Sequence, residues 1–132
     1  MTTTTDRVPA IFADARAVHA DALRLLEAGD IRDAAEKAWC ATKRATDALI
    51  LARTDEEPQI SSDTARGLVR LATEDQVFRA LRRRYHSRQS MLHGDCFYLG
   101  LCEPIDDTER RIRQTADYIS DAERLAGYPN SA

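Results

Sequence analysis

The chain has 132 residues, 43% of them hydrophobic and 31% charged, with a formal net charge of −3. That length carries one domain with a modest core and excludes two, and the mixture of apolar and charged residues excludes wholesale disorder. A nearly neutral total excludes recognition of nucleic acid by net charge alone, so such a role must rest on local clustering.

The start, Met1 to Asp6, lacks the basic and apolar regions of a secretory leader, and no apolar run approaches membrane-spanning length. A soluble, cytoplasmic protein without a membrane partner is expected. Residues 1–7 read as a flexible tail, residues 8–127 as one helical domain and residues 128–132 as a second tail. From Val8 to Ala28 the positions Ile11, Phe12, Ala15, Val18, Ala22, Leu25 and Leu26 recur at steps of three and four, which predicts an amphipathic helix. Gly29 ends it and Asp30 caps the next, so the two helices should form an antiparallel hairpin. The second helix is predicted over 31–53, where Ala34, Ala35, Ala38, Ala41, Ala45 and Ala48 permit close packing and Trp39, Leu49, Ile50 and Leu51 supply bulk.

Residues 54–60, with three acids and Pro58, read as a loop; Ser61 or Ser62 then caps a short helix ending near Ala72. Thr73-Glu74-Asp75-Gln76 has capping-box spacing and should open a helix through Val77, Leu81 and Tyr85 toward Leu92. Gly94, Gly100 and Pro104 punctuate the apolar run from Cys96 to Cys102, which leaves room for a single turn at most. Asp106 or Asp107 should cap a final helix with Ile112, Ala116, Ile119 and Leu125 inward, stopped by Gly127 and Pro129. No strand signal stands out, so the fold is expected to be all-α, an up-and-down bundle of four main helices with a short extra one. Cys40, Cys96 and Cys102 are odd in number and form no Cys-x-x-Cys pair, which argues against a disulfide framework and a zinc site and for small buried thiols.

Chemistry concentrates late in the chain. Cutting RNA without a metal needs a base for the ribose 2′-proton and a cation for the phosphate oxygens, and His93 and Arg88 are of those two types. Five positions along an α-helix turn the second side chain well away from the first, so a helix end near Gly94 or a second subunit must bring the pair together. Arg79 and His86 form another arginine–histidine pair. Against both stands the plainer reading of a packed histidine and solvated surface charge. Arg79, Arg82, Arg83, Arg84 and Arg88 follow one another without an acid between them, a candidate track for a phosphate backbone leading to Arg88 and His93. Tyr85, Phe97 and Tyr98 flank it and are of a type to stack on unpaired bases, or to fill the core. Glu36, among small apolar residues, is either exposed or buried against Arg88 or His93, where it would orient the histidine; Asp95 competes for that supporting role. No metal or cofactor is expected.

Three stretches resemble the HEPN superfamily of small helical domains. Leu25 to Trp39, with its Glu36-Lys37-Ala38-Trp39, looks like the hairpin of the branch called PaREP; Leu92 to Tyr98 is similar to that branch's histidine followed by an aromatic pair; Arg88 to His93 matches the superfamily's Arg-x4-6-His motif. The resemblance implies a homodimer whose motifs meet across a cleft at the twofold axis, with Arg88 stabilising the phosphate and His93 transferring the proton to leave a 2′,3′-cyclic phosphate. It implies a metal-independent endoribonuclease, often a toxin restrained by a nucleotidyltransferase partner. Two positions depart from the active pattern: Gln89, where many toxins carry asparagine, aspartate or histidine, and Asp95, where a tyrosine is expected. The alternative functions are a non-catalytic module binding a nucleotide or a protein, or a structural subunit that presents the segment from Cys96 to Cys102.

Overall fold

Helix α1 spans Thr4–Glu27 and α2 spans Ile31–Thr54. The computed structural model describes residues 4–127; the tail expected over 128–132, with the stop assigned to Pro129, lies outside the described residues. α1 starts earlier than its apolar periodicity indicates and carries Pro9 inside it. Its first turn is held from outside: Arg7 grips Glu57 through two hydrogen bonds of 2.8 and 2.9 Å, and the Thr4 hydroxyl reaches Asp55. Such ties offset the amide that proline cannot donate. At the other end Gly29 takes φ +85°, a left-handed turn open to a residue without Cβ, and the Asp30 carboxylate accepts from the Asp33 amide at 3.2 Å. Thr4 beside Asp55 and Asp14 beside Arg44 show that the hairpin is antiparallel. Ala34, Ala35, Ala38, Ala41, Ala45 and Ala48 are all fully buried, so α2 meets its neighbours through methyl groups and the backbones close up.

Helix α3 spans Ser61–Glu74, and neither serine caps it. The Asp63 carboxylate reaches back instead to the amides of Gln59 and Ile60, at 3.2 and 3.4 Å. Nor does Thr73 open a capping box. It lies within α3, its hydroxyl donating to the Val69 carbonyl one turn back, while Asp75 accepts from the Val77 amide and starts a 3₁₀ turn over Gln76–Phe78. Gly67 sets the approach of α3 to α2: a methyl there would stand 2.9 Å from Ile50 Cδ1.

Helix α4 spans Arg79–Arg88 and passes directly into a π-helix over Gln89–Tyr98, straight through Gly94. The helix does not end at Gly94 and has wide bonds such as Leu99 N–H to the Gly94 carbonyl at 3.0 Å, but of the run from Cys96 to Cys102 it takes in only Cys96, Phe97 and Tyr98, within the single turn expected. Arg32 closes its end by donating to the carbonyls of Phe97 and Tyr98 at 2.6 and 3.3 Å. A disulfide joins Cys96 to Cys102, with Cα atoms 4.2 Å apart, and Cys40 is free and exposed. The expectation of three buried thiols is thus corrected. Cysteine spacing says nothing about a helix end that folds back on itself.

The last predicted helix is two. α5 spans Ile105–Arg113 and α6 spans Thr115–Leu125, with an elbow at Gln114; Pro104 takes the cap position of α5, so Asp106 and Asp107 stand in its first turn. The rod formed by α4 and the π-helix runs antiparallel to α2, since Arg88 reaches Thr42, His93 reaches Glu36, and Phe97 lies beside Arg32. α6 runs with α2: the Tyr118 and Thr46 hydroxyls are 2.7 Å apart, and Arg53 donates to the Leu125 carbonyl. Ile11, Leu49, Leu68, Leu81, Leu92, Ile112 and Ile119 fill the space between the rods together with the rings of Tyr85 and Tyr118. Among the described residues the chain is helical without strands, and no helix is long and apolar enough to cross a membrane.

Candidate functional site

His93 sits in the π-helix with both oxygens of the Glu36 carboxylate at its Nδ1, 2.8 and 2.9 Å away. Phe97 stacks on one side of the imidazole, ring centres 6.1 Å apart and 24° from parallel, and Trp39 stands 6.3 Å away. With Nδ1–H donating to Glu36, Nε2 keeps its lone pair, and the histidine side chain is 45% exposed. A ring held at one nitrogen by a carboxylate and half exposed can accept a proton at the other from a bound molecule, and the carboxylate behind it faces the charge the ring then gains. The register of α2 against the π-helix makes the pair, since the two residues are far apart in the chain.

Arg88 is placed differently. Only 6% of it is exposed, and its guanidinium is held by three neutral acceptors: the Thr42 hydroxyl at 3.0 Å, the Arg111 carbonyl at 3.2 Å and the Thr115 hydroxyl. The Tyr118 ring lies beneath it, 5.8 Å from ring centre to guanidinium carbon. Burial pushes its pKa down to about 10, opposed by Tyr118 and helped by the like charges of Arg84 and Arg111. Close by, His19 Nε2–H donates to the Ile112 carbonyl, and burial together with Arg88 and Arg16 holds its pKa below the ordinary value. Arg88 and His93 thus belong to one continuous rod but have separate partners. Arg88 ties the rod to α2 and to the elbow between α5 and α6; its outer edge borders a cleft of about 300 Å³ that it shares with Arg84, Arg111 and Asp117.

The arginine run divides in the same way. Arg84 turns to Asp121 at 2.7 Å, whereas Arg79, Arg82 and Arg83 line one cleft of about 650 Å³ together with His86 and Thr73. Tyr98 is 74% exposed at the far end of the π-helix, and Asp95 is exposed. Among the described residues no group of three or more histidines, cysteines or acids is placed to hold a metal.

The profile of the archaeal PaREP1/PaREP8 family matches residues 10–94. The chain belongs to that family. The PaREP1/PaREP8 match takes in α1 from Ala10, all of α2, α3 and α4, and ends just beyond His93, so Glu36, Arg88 and His93 lie within it while Phe97, Tyr98 and the disulfide do not. No curated protein and no solved structure is detectably similar to the chain.

Sequence reasoning missed Thr42, Thr115 and Arg32, the residues that fix Arg88 and the end of the π-helix. Thr42 carried a signal: with Thr46 it is a polar residue on a helix face otherwise made of alanine. Thr115 and Arg32 carried none, because their partners are chosen by elements distant in the chain.

Proposed function

We propose that this PaREP1/PaREP8 protein is an up-and-down helical bundle of the HEPN type that binds RNA as a homodimer and cleaves it without a metal. The single observation that carries this reading is the half-exposed His93 ring held at Nδ1 by Glu36. His93 Nε2 takes the proton of a ribose 2′-hydroxyl; the 2′-oxygen forms its bond to phosphorus, the bond to the 5′-oxygen breaks, and that oxygen leaves with a proton from water. The products are a 2′,3′-cyclic phosphate and a 5′-hydroxyl end. Glu36 is the positioning residue of His93. Arg88 acts at a distance, holding the rod that carries His93, and Arg32, already at the carbonyls of Phe97 and Tyr98, is the cation available to a phosphate beside the ring. Exposed Tyr98 offers a face on which an unpaired base can stack.

A second reading, a non-catalytic module that binds RNA or a nucleotide in the same place, is favoured by one observation: Arg88 faces Thr42 and Thr115 rather than His93. Incubation of the purified chain with single-stranded RNA in EDTA separates the two. The catalytic reading expects cyclic-phosphate ends, a loss of about a hundredfold or more in His93→Ala, and a smaller loss with an altered pH profile in Glu36→Gln. Binding without cleavage at any enzyme concentration establishes the second reading, and cleavage unchanged in His93→Ala sinks the mechanism.

A further inference from the structure

Most exposed arginines of this chain hold a carboxylate. Arg7 grips Glu57, Arg44 grips Asp14, Arg70 grips Glu74 and Arg84 grips Asp121. Arg79, Arg82 and Arg83 do not. Among the described residues the only hydrogen bond from these three is a long one, 3.4 Å from Arg79 Nε to the Ala72 carbonyl. Arg82 Nε is buried with no acceptor among the described residues, a donor of a kind that folded proteins rarely leave unsatisfied. All three line the cleft between the end of α3 and the outer face of α4, where Thr73 and His86 add a hydroxyl and an imidazole and no acid intrudes.

We infer that this cleft is a binding site for a phosphate monoester, the terminal phosphate of a single-stranded nucleic acid. Three guanidiniums carry more convergent donors than a passing phosphodiester can use, since a diester has one negative charge and two free oxygens. A monoester carries nearly two charges and three free oxygens, which suits forks arriving from several sides. Charge repulsion among the arginines, unrelieved by any carboxylate, favours the bound state. The inference draws on the RNA-binding reading only for the carrier of the phosphate; it requires no cleavage.

The test uses the whole chain and short single-stranded DNA, which lacks the 2′-hydroxyl and cannot be cut by the His93 route. Oligonucleotides with a 5′-phosphate and with a 5′-hydroxyl, each labelled at the 3′ end, are titrated at physiological salt and followed by fluorescence anisotropy. The phosphorylated strand is expected to bind about tenfold more tightly. Inorganic phosphate at millimolar concentration should remove that advantage, as should Arg82→Gln and Arg83→Gln, while Arg44→Gln, on the far side of α2, keeps it. Equal affinity for the two strands, or an advantage that survives both Arg82→Gln and Arg83→Gln, overturns the site and leaves a solvated basic face. The strands are DNA and the readout is binding alone, whereas the cleavage reading is tested on RNA in EDTA, so failure of that reading and failure of this one are told apart.

Discussion

Two arginine–histidine pairs lie on one continuous helical rod, and they differ in what surrounds them. Arg79 and His86 open onto the same cleft and touch no acid there, whereas Arg88 and His93 are each occupied by the protein itself, Arg88 by two threonines and a carbonyl, His93 by Glu36. Nearness along a helix therefore does not decide whether two side chains share a task. What faces the helix at each position does. α2 offers a hydroxyl at Thr42 and a carboxylate at Glu36, and these select a structural arginine and an oriented histidine; on the outer face of α4, Arg79, Arg82 and Arg83 have no carboxylate partner among the described residues.

That contrast can be broken most directly by treating Arg88 and Arg82 alike. Arg88→Ala should cost about 3 kcal/mol in urea denaturation, because Thr42, Thr115 and the Arg111 carbonyl lose their donor and a cavity remains between α2 and the elbow. Arg82→Ala should stay within about 0.5 kcal/mol. Equal effects would show that Arg88 is not the tie described above. Arg88→Lys should recover little, since one ammonium on a flexible stem cannot span three acceptors.

Next in size is the disulfide that fastens the end of the rod. Reducing Cys96–Cys102, or replacing both residues by serine, closes a very short loop no longer and should lower stability by about 2 kcal/mol; Cys40→Ser, at the free and exposed thiol, should change little. Denaturation with and without reductant measures both, and the same loss from the Cys40 change would sink the assignment.

The smallest effect is a pH dependence on the Arg88 side of the rod. His19 has its folded-state pKa below its ordinary value of 6.5, because it is buried and faces Arg88 and Arg16. The unfolded chain therefore takes up the proton first as pH falls, so stability should drop between pH 7 and pH 5 and rise again on return. His19→Gln should flatten that slope, as should Arg88→Ala in part. A slope indifferent to His19→Gln would place the titrating group elsewhere.

The helices themselves were legible in the pattern of apolar residues. α1 and α2 follow the three-and-four spacing of Ile11 to Leu26 and the alanine face of Ala34 to Ala48, and the turn between them follows from Gly29 and Asp30. Their ends were less legible, because competing caps stand close together: Ser61 against Asp63, Thr73 against Asp75, Asp106 against Pro104. Gly94 was read as a break. Packing against α2, the Arg32 cap and the disulfide instead carry the chain through it as a π-helix.

By itself, then, the sequence determined an all-helical chain, an antiparallel hairpin at its start, and a short roster of residues able to do chemistry. These are consequences of local periodicity and of side-chain type, and both are written into neighbouring positions. Only the tertiary structure decided that Glu36 meets His93, that Arg88 turns inward to Thr42 and Thr115, and that Arg79, Arg82 and Arg83 are left without acids. Each of those outcomes depends on which face of one helix is pressed against which turn of another, a choice made by the packing of the whole core.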